Sequence, residues 1–251
     1  MKDFSIYQVL ARGSNHEDFC EDNFCLHEFN EKYFLGAVFD GCSGGIESYF
    51  ASSLFRKSMN SFNANRRFKY QDSFEILYEW IWYLVQKLKA SKNLLDLNEG
   101  ELLSTCITMV YDTENNEGYI LAIGDGVVVI DGEINSIDQD NMPNYLTYHL
   151  DKLNSIDDVE RWVDNHKQLY KILNIKDVSI CTDGVESYKF DSSKLLARTL
   201  DTQAPDPIRY MTIDAERKDK LTMLQRKNNI LRTQYGLVHR DDLAIIRFIH
   251  K

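Results

Sequence analysis

The chain has 251 residues, of which 43% are hydrophobic and 27% charged, and its formal net charge is -10. This length suits one sizeable domain or two small ones, and the composition is that of an ordinary globular protein. Partners such as nucleic acids and anionic membranes require clustered Lys and Arg, so this acidic chain predicts neither.

The cysteines and the N-terminus bear on the cellular location. The five cysteines are odd in number and none forms a C-x-x-C pair, which disfavours a disulfide framework or a zinc site and predicts reduced thiols. The first ten residues contain a Lys and an Asp without a long apolar stretch, and no apolar run reaches membrane length. We therefore expect a cytoplasmic protein with a single domain over residues 1–251.

The first third of the chain predicts three strands and then two helices. Three segments rich in aromatic and β-branched residues favour strands, namely 4–11, 22–28 and 33–39. Apolar residues from Ile46 to Phe55 recur at helical spacing, and a longer apolar stripe predicts a second helix over about 73–90. Asp72 and Glu75 resemble a capping box at the start of that helix.

The rest of the chain predicts a second group of strands. These strands are expected at 105–112, 118–123, 126–130, 177–182 and 242–248. The pair Asp131-Gly132 is interpreted as a plain hairpin turn, and helices are predicted at 155–173 and 213–234. Because most neighbouring strands are joined by short turns, we expect two packed antiparallel sheets with helices outside, an α+β fold.

Aspartates stand at or beside the ends of several predicted strands. They are Asp22, Asp40, Asp125, Asp183 and Asp241. Carboxylates that converge on one edge of a sandwich suit Mg²⁺ or Mn²⁺, which prefer hard oxygen ligands. Two such ions can activate a shared water for attack on phosphorus. The alternative for each residue alone is an ordinary turn or cap, because Asp-Gly is a common turn dipeptide.

The order of these motifs resembles that of the type 2C protein phosphatases. The resemblance rests on EDNFCLHEFNEKYFLGAVFDGCSGG at 21–45, Ser104-Thr105, AIGDG at 122–126, SICTDGVES at 179–187 and RDDLAIIRF at 240–248. It implies a four-layer αββα sandwich and a metal-dependent phosphatase with two Mg²⁺ or Mn²⁺ ions. In this reading Asp40 would bridge both ions, the Gly41 carbonyl would bind the second, and Asp183 and Asp241 would bind the first. Asp125 would share a looser third site with Asp183.

The resemblance also implies roles around the metals. Asp22, with Glu21 beside it, would hold metal-bound waters as catalytic residues. Many members carry a phosphate-binding Arg five residues before the first Asp, where this chain has Glu17, so His16 or Arg12 is the candidate substrate-binding residue. Where some members have a proton-donating His after Asp-Gly, this chain has a cysteine, Cys42.

Three functions remain open at this point. The first is a phosphatase acting on phosphoserine and phosphothreonine in proteins, with a phosphorylated protein as its partner. The second is a pseudophosphatase that binds without catalysis, and the third is a phosphatase of a small phosphorylated metabolite. Oligomeric state stays undetermined. We also consider that basic residues at 218–227, led by Lys218, Lys220 and Lys227, help to position substrate, with a solvated helix face as the alternative.

Overall fold

The computed structural model describes residues 4–29, 31–45, 47–62, 72–139, 143–194 and 203–250. The helices are α1 (Ser48–Asn60), α2 (Ser73–Leu95), α3 (Ile156–Asp164), α4 (Pro207–Thr212) and α5 (Met223–Tyr235). The first strands are β1 (Phe4–Ala11), β2 (Asp22–Phe29), β3 (Tyr33–Asp40), β4 (Cys106–Asp112), β5 (Glu117–Ile123) and β6 (Gly126–Ile130). The remaining strands are β7 (Glu133–Ile137), β8 (Leu169–Leu173), β9 (Asp177–Cys181), β10 (Tyr188–Phe190), β11 (Leu237–His239) and β12 (Leu243–His250).

Two five-stranded sheets pack face to face. The first sheet has the order β1-β12-β9-β6-β7 and the second the order β2-β3-β4-β5-β8; the strand pairs in both are antiparallel. Phe34 of β3 stacks on Phe248 of β12 with ring centroids 4.8 Å apart. The buried layer around this aromatic pair joins the sheets, so their relative position is set by side-chain packing.

Helices cover the two outer faces. Apolar residues of α1, α2 and α3 pack with the outward side chains of β2, β3, β4 and β5 in one core cluster. Apolar residues of α4 and α5 pack with those of β1, β6, β9 and β12 in another. The predicted four-layer αββα sandwich is therefore confirmed.

The helix after the first strands begins as the sequence predicts. The Asp72 carboxylate accepts a hydrogen bond of 2.8 Å from the Glu75 backbone N–H and caps α2, which satisfies one of the free donors of the first turn. Phe55 of α1 is fully buried, whereas Ile46, included in the predicted apolar stripe, lies outside the described residues.

The helix predicted over 155–173 is wrong in its second half. The helix α3 ends at Asp164, and residues 169–173 form β8, which pairs with β5 at the edge of the second sheet. The segment LYKIL combines apolar side chains with high strand propensity. Pairing with an open sheet edge outweighs the weak helical periodicity there.

The helix predicted over 213–234 is also wrong in its bounds. Residues 213–222 are not helical in the structure, and α5 runs from Met223 to Tyr235. The preceding helix, α4, has Pro207 in its first turn and the Asp206 carboxylate as its cap. A proline is tolerated at that position because the first helical N–H has no intrahelical acceptor.

Two buried cations hold the segment after α4 against the first sheet. The Lys227 ammonium is fully buried and donates to the carbonyl of Tyr210 at 2.6 Å and to the carboxylate of Asp214 at 3.0 Å. The Arg247 guanidinium donates to both carboxylate oxygens of Asp177 and to the carbonyl of Ile213. The proposal that Lys227 positions substrate is therefore wrong, because its charge serves the interior.

The position of Lys218 also argues against a role in substrate positioning. Its backbone carbonyl accepts a hydrogen bond from the Tyr7 hydroxyl. In the β1–β12 pair, Tyr7 is opposite Arg247, whereas Ala11 is opposite Leu243, next to the aspartates that precede β12. Tyr7 therefore lies four strand residues, or about 13 Å, from the aspartate-bearing end of this pair. Lys218 is exposed and suits the solvated-face alternative.

Two simpler expectations can be compared with the structure. All five cysteines are free thiols, as the odd number and the spacing predict. Among the helices that the structure describes, none combines the length and apolar character of a membrane span.

The buried cation at Arg247 yields a stability prediction. We expect Arg247→Met to lower the free energy of unfolding by about 3 kcal/mol, since it leaves the Asp177 carboxylate and the carbonyls of Met211 and Ile213 without the Arg247 donors. Urea denaturation measures this change. Arg161→Met is the control, because Arg161 is 73% exposed in its pair with Asp158 and should cost under about 1 kcal/mol. Equal losses of unfolding free energy in the two variants would contradict a structural role for the buried Arg247 guanidinium.

Candidate active site

Two aspartates face each other at one end of the second sheet. Asp22 at the start of β2 pairs in register with Asp40 at the end of β3. The Asp22 side chain is buried and accepts a hydrogen bond of 2.6 Å from the Thr182 hydroxyl, which belongs to the first sheet. The Thr182 hydroxyl in turn accepts the Ala244 backbone N–H at 2.9 Å. Both sheets therefore meet at this edge.

The backbone around Asp40 is held on both sides. The Asp40 N–H donates to the Thr105 hydroxyl at 3.0 Å, and the Thr105 N–H donates to the Asp40 carbonyl at 2.8 Å. The next residue, Gly41, donates its N–H to the Glu21 carbonyl, and a Cβ there would lie 2.1 Å from the Ser48 carbonyl oxygen. Only glycine allows this approach of α1.

The first sheet brings three more aspartates to the same edge. Asp183 directly follows Thr182 after β9, Asp241 precedes β12, and Asp125 lies between β5 and β6. A Cβ on Gly184 would lie 1.6 Å from the Asp242 carbonyl oxygen, so glycine at this position is what lets the Asp183 turn pack against the start of β12.

The hydroxyl of Ser187 fixes the backbone around Asp241. It accepts the backbone N–H groups of Arg240 and Asp241, each at 3.0 Å, and donates to the Gly184 carbonyl at 2.7 Å. These bonds tie the Asp183 turn to the residues that precede β12. No pattern in the sequence points to Ser187, because its role depends on how the two segments pair in space.

An open cleft of about 390 Å³ runs along this edge. Its lining residues are Asn15, Asp125, Ile137, Asp138, Asp183, Glu186, Ser187, Lys189, Arg240 and Asp241. Three of the predicted metal ligands therefore share one solvent-accessible depression, into which an anionic substrate can enter only if the acidic charge is offset.

The carboxylates raise one another's pKa. Burial, followed by the charges of Asp22, Asp183 and Asp241, raises the pKa of Asp40 well above its ordinary value. Burial, with the charges of Asp242 and Asp183, likewise raises the pKa of Asp22. Burial, and then the charges of Asp241 and Asp125, raises the pKa of Asp183 to about 6. Such a cluster is fully ionised at neutral pH only beside compensating positive charge.

The donor set fits hard divalent cations by its chemistry. Carboxylate oxygens from both sheets point to Mg²⁺ or Mn²⁺ over softer metals. Among the residues that the structure describes, no three His, Cys, Asp or Glu side chains are already grouped tightly enough to hold an ion as they stand.

A second carboxylate, that of Asp242 immediately before β12, was missed by the sequence analysis and orders the loop that enters the site. The Asp242 side chain is buried and accepts the backbone N–H of Gly13 at 2.6 Å and that of Glu21. His16 Nδ1 lies 3.1 Å from the Asp242 carboxylate, and Nε2 lies 3.2 Å from that of Asp241. The doubled aspartate in RDDL is the sequence signal for Asp242, whereas the family resemblance implies a role for Asp241 alone.

The remaining predicted residues of this loop face other partners. The Glu21 carboxylate accepts the hydroxyls of Ser43, at 2.8 Å, and Ser48, and thereby fastens the turn after Asp40. The Arg12 guanidinium donates to the backbone carbonyls of Glu17 and Asp18. Of the two candidates for substrate binding, His16 thus reaches the carboxylate cluster, while Arg12 closes the loop that carries it.

A buried histidine links α5 to this edge and was also missed. The Tyr188 hydroxyl donates to the Asn228 side-chain carbonyl at 2.9 Å, which turns the Asn228 amide nitrogen toward His239 Nε2 at 3.3 Å. His239 Nε2 then accepts, and Nδ1–H donates to the Asp241 carbonyl at 2.9 Å. These hydrogen bonds connect Tyr188, Asn228 and His239 in series and hold the backbone carbonyl of Asp241 in place.

Comparison with known proteins agrees with this geometry. A family model described as Protein phosphatase 2C matches residues 12–219, a span that includes Asp22, Asp40, Asp125 and Asp183. No curated protein gives a significant match. The chain therefore belongs to the protein phosphatase 2C family, whose members are metal-dependent protein phosphatases, that is, hydrolases.

Solved structures share the fold at low sequence identity. RsbX, solved in complex with magnesium, has a TM-score of 0.58 at 14% identity over 100% of this chain and 97% of its own. The catalytic domain of PstP, solved with two manganese ions, has a TM-score of 0.54 at 14% identity, with 98% of each chain covered. Stp1 from Staphylococcus aureus has a TM-score of 0.58 at 14% identity over 99% of this chain and 95% of its own.

The raised pKa of Asp183 predicts how the chelator-treated protein responds to pH. Its folded pKa of about 6 exceeds the ordinary 3.8, so its contribution to stability is fully present below about pH 4 and is lost as the pH rises through about 6. Asp183→Asn should therefore become more stable than the wild type as the pH rises, by at most about 3 kcal/mol. Urea denaturation of both proteins at about pH 4 and about pH 7 measures this difference. A difference in the free energy of unfolding that is the same at both pH values would count against the proposed clustering of carboxylates around Asp183.

Proposed function

We propose that the chain hydrolyses phosphoserine and phosphothreonine in proteins, with two Mg²⁺ or Mn²⁺ ions bound at the carboxylate edge. The observation that carries the proposal is the convergence of aspartates on one edge of the sandwich, where Asp125, Asp183 and Asp241 line an open cleft and Asp22 faces Asp40 in register. The magnesium in RsbX and the two manganese ions in PstP support the choice and number of ions.

We assign the ligands by their position at this edge. Asp40 and the Gly41 carbonyl lie at the end of β3, and Asp183 and Asp241 lie at the facing end of the first sheet. We place the first ion with Asp183 and Asp241, the second with the Gly41 carbonyl, and Asp40 between them. Asp125 would hold a third ion with Asp183, since both line the cleft.

The other residues of the site bind and orient. When bound, the two ions would supply a water of lowered pKa and neutralise charge on the phosphoryl oxygens. Asp22, held by the Thr182 hydroxyl, would accept a hydrogen bond from that water, and Glu21 would fasten the turn that carries Gly41. His16, held by Asp242, is our candidate for contact with the phosphate, with Arg12 as its support.

Metal dependence is the first test of this function. We expect the purified protein to hydrolyse a phosphoserine peptide and an aryl phosphate with added Mn²⁺ or Mg²⁺, and to lose this activity in excess chelator. Hydrolysis of the aryl phosphate without the peptide would favour a small phosphorylated metabolite as substrate. Absence of hydrolysis, combined with retained Mn²⁺ binding in calorimetry, would favour a pseudophosphatase. Full activity in a protein shown to be free of metal would refute the proposal.

A matched pair of Asp-Gly variants tests the central ligand. Asp40→Asn should lower kcat by at least about 100-fold while the chain stays folded, because loss of the bridging carboxylate weakens both ion sites. The control is Asp131→Asn, at the Asp-Gly of the hairpin between β6 and β7, where the carboxylate accepts only backbone N–H groups. Steady-state kinetics and circular dichroism are the measurements. Wild-type turnover in Asp40→Asn would refute the ligand assignment.

A further inference from the structure

The cleft carries two cations among its many carboxylates. Asp125, Asp138, Asp183, Glu186 and Asp241 line it on the acidic side, and Lys189 and Arg240 complete its charged lining. In a chain with a net charge of -10, such cations usually pair with nearby acids.

Neither cation is neutralised by an ion pair within the described part of the chain. The Arg240 guanidinium makes one long hydrogen bond of 3.3 Å to the Ser14 hydroxyl, although it has five N–H donors. Lys189 is exposed. Among the described residues, the ion pairs found include neither Lys189 nor Arg240. Both therefore remain available to an anion that enters the cleft.

The small sheet of β10 and β11 places the two cations together. Lys189 is opposite Val238 in this antiparallel pair, and Arg240 lies two residues beyond Val238. The pairing continues to Arg240, because its backbone N–H donates to the Ser187 carbonyl at 3.2 Å. Side chains two residues apart share a face of a strand, so Lys189 and Arg240 are diagonal neighbours with backbones about 7–8 Å apart. This spacing suits one carboxylate held between them.

We propose that Lys189 and Arg240 form a subsite for an acidic side chain next to the phosphorylated residue of the substrate protein. The inference rests on the proposed phosphatase function and adds a substrate preference to it. Lys189 and Arg240 line the same cleft as Asp183 and Asp241 without an ion pair to either carboxylate, so both cations can bind a second acidic group of the substrate. A neighbouring Asp or Glu, about 3.3 Å per residue along an extended peptide, would reach them.

The experiment compares two phosphoserine peptides that differ only in flanking Glu or Gln residues. The wild type should have a kcat/KM about five- to tenfold higher for the acidic peptide, mainly because its KM for that peptide is lower. The ratio of the two kcat/KM values, acidic peptide over Gln peptide, should fall as the salt concentration rises. Lys189→Ala and Arg240→Ala should each reduce this ratio toward one, and Lys189→Glu should invert it. Lys218→Ala, an exposed lysine away from the cleft, is the matched control and should keep the wild-type ratio.

The ratio of kcat/KM for the two peptides distinguishes loss of recognition of the acidic side chain from damage to the catalytic site. A disturbed metal cluster lowers kcat/KM for both peptides alike and leaves the ratio unchanged, and that result in both variants would overturn the subsite. A wild type that hydrolyses both peptides equally well would also overturn it, while the phosphatase function stands. A wild type that hydrolyses neither peptide nor an aryl phosphate with Mn²⁺ would refute the proposed function itself.

Discussion

The Thr182 hydroxyl joins the two sheets where the carboxylates gather, since it donates to Asp22 of one sheet and accepts from the Ala244 N–H of the other. The placement of the neighbouring aspartates depends on this contact. Asp22 faces Asp40 in register, Thr182 directly precedes Asp183, and Ala244 lies two residues after Asp242. A shift of one residue in any of these strands would turn its side chains to the opposite face, so the edge requires one particular alignment of two independent sheets.

Holding these carboxylates together opposes folding. Burial and mutual repulsion raise the pKa values of Asp22, Asp40 and Asp183, which means that their ionised forms are less stable in the fold than in water. The compensating free energy comes from elsewhere, from the aromatic layer between the sheets and from the helices packed on their outer faces. A site that destabilises its own scaffold in this way is common where function requires a strained or charged arrangement.

Much of this arrangement followed from the sequence because it depends on local order. Strand segments, the Asp-Gly positions and the small residues at 104–105 lie along the chain in the order that the fold uses, and antiparallel pairing brings strand ends to a shared edge. His239 and Lys227 could not be recognised in the same way, because their roles arise from contacts between segments distant in sequence. Lys227 looked like part of a basic surface, yet tertiary packing turned it inward to Asp214. Residues 169–173 became a strand because the free edge of β5 was there to pair with.

The charge distribution suggests how an acidic protein accommodates an acidic substrate. At a net charge of -10, its long-range field repels a phosphoprotein, but this repulsion is screened beyond about 8 Å at physiological ionic strength. Within that distance the local charges of the cleft decide the interaction. Divalent cations at the aspartates would reverse the sign of the charge there, and Lys189 with Arg240 would supply positive charge in the same cleft without any ion. The two groups would therefore respond differently to metal removal, with phosphate binding lost at the aspartates and attraction for a neighbouring carboxylate retained at the two cations.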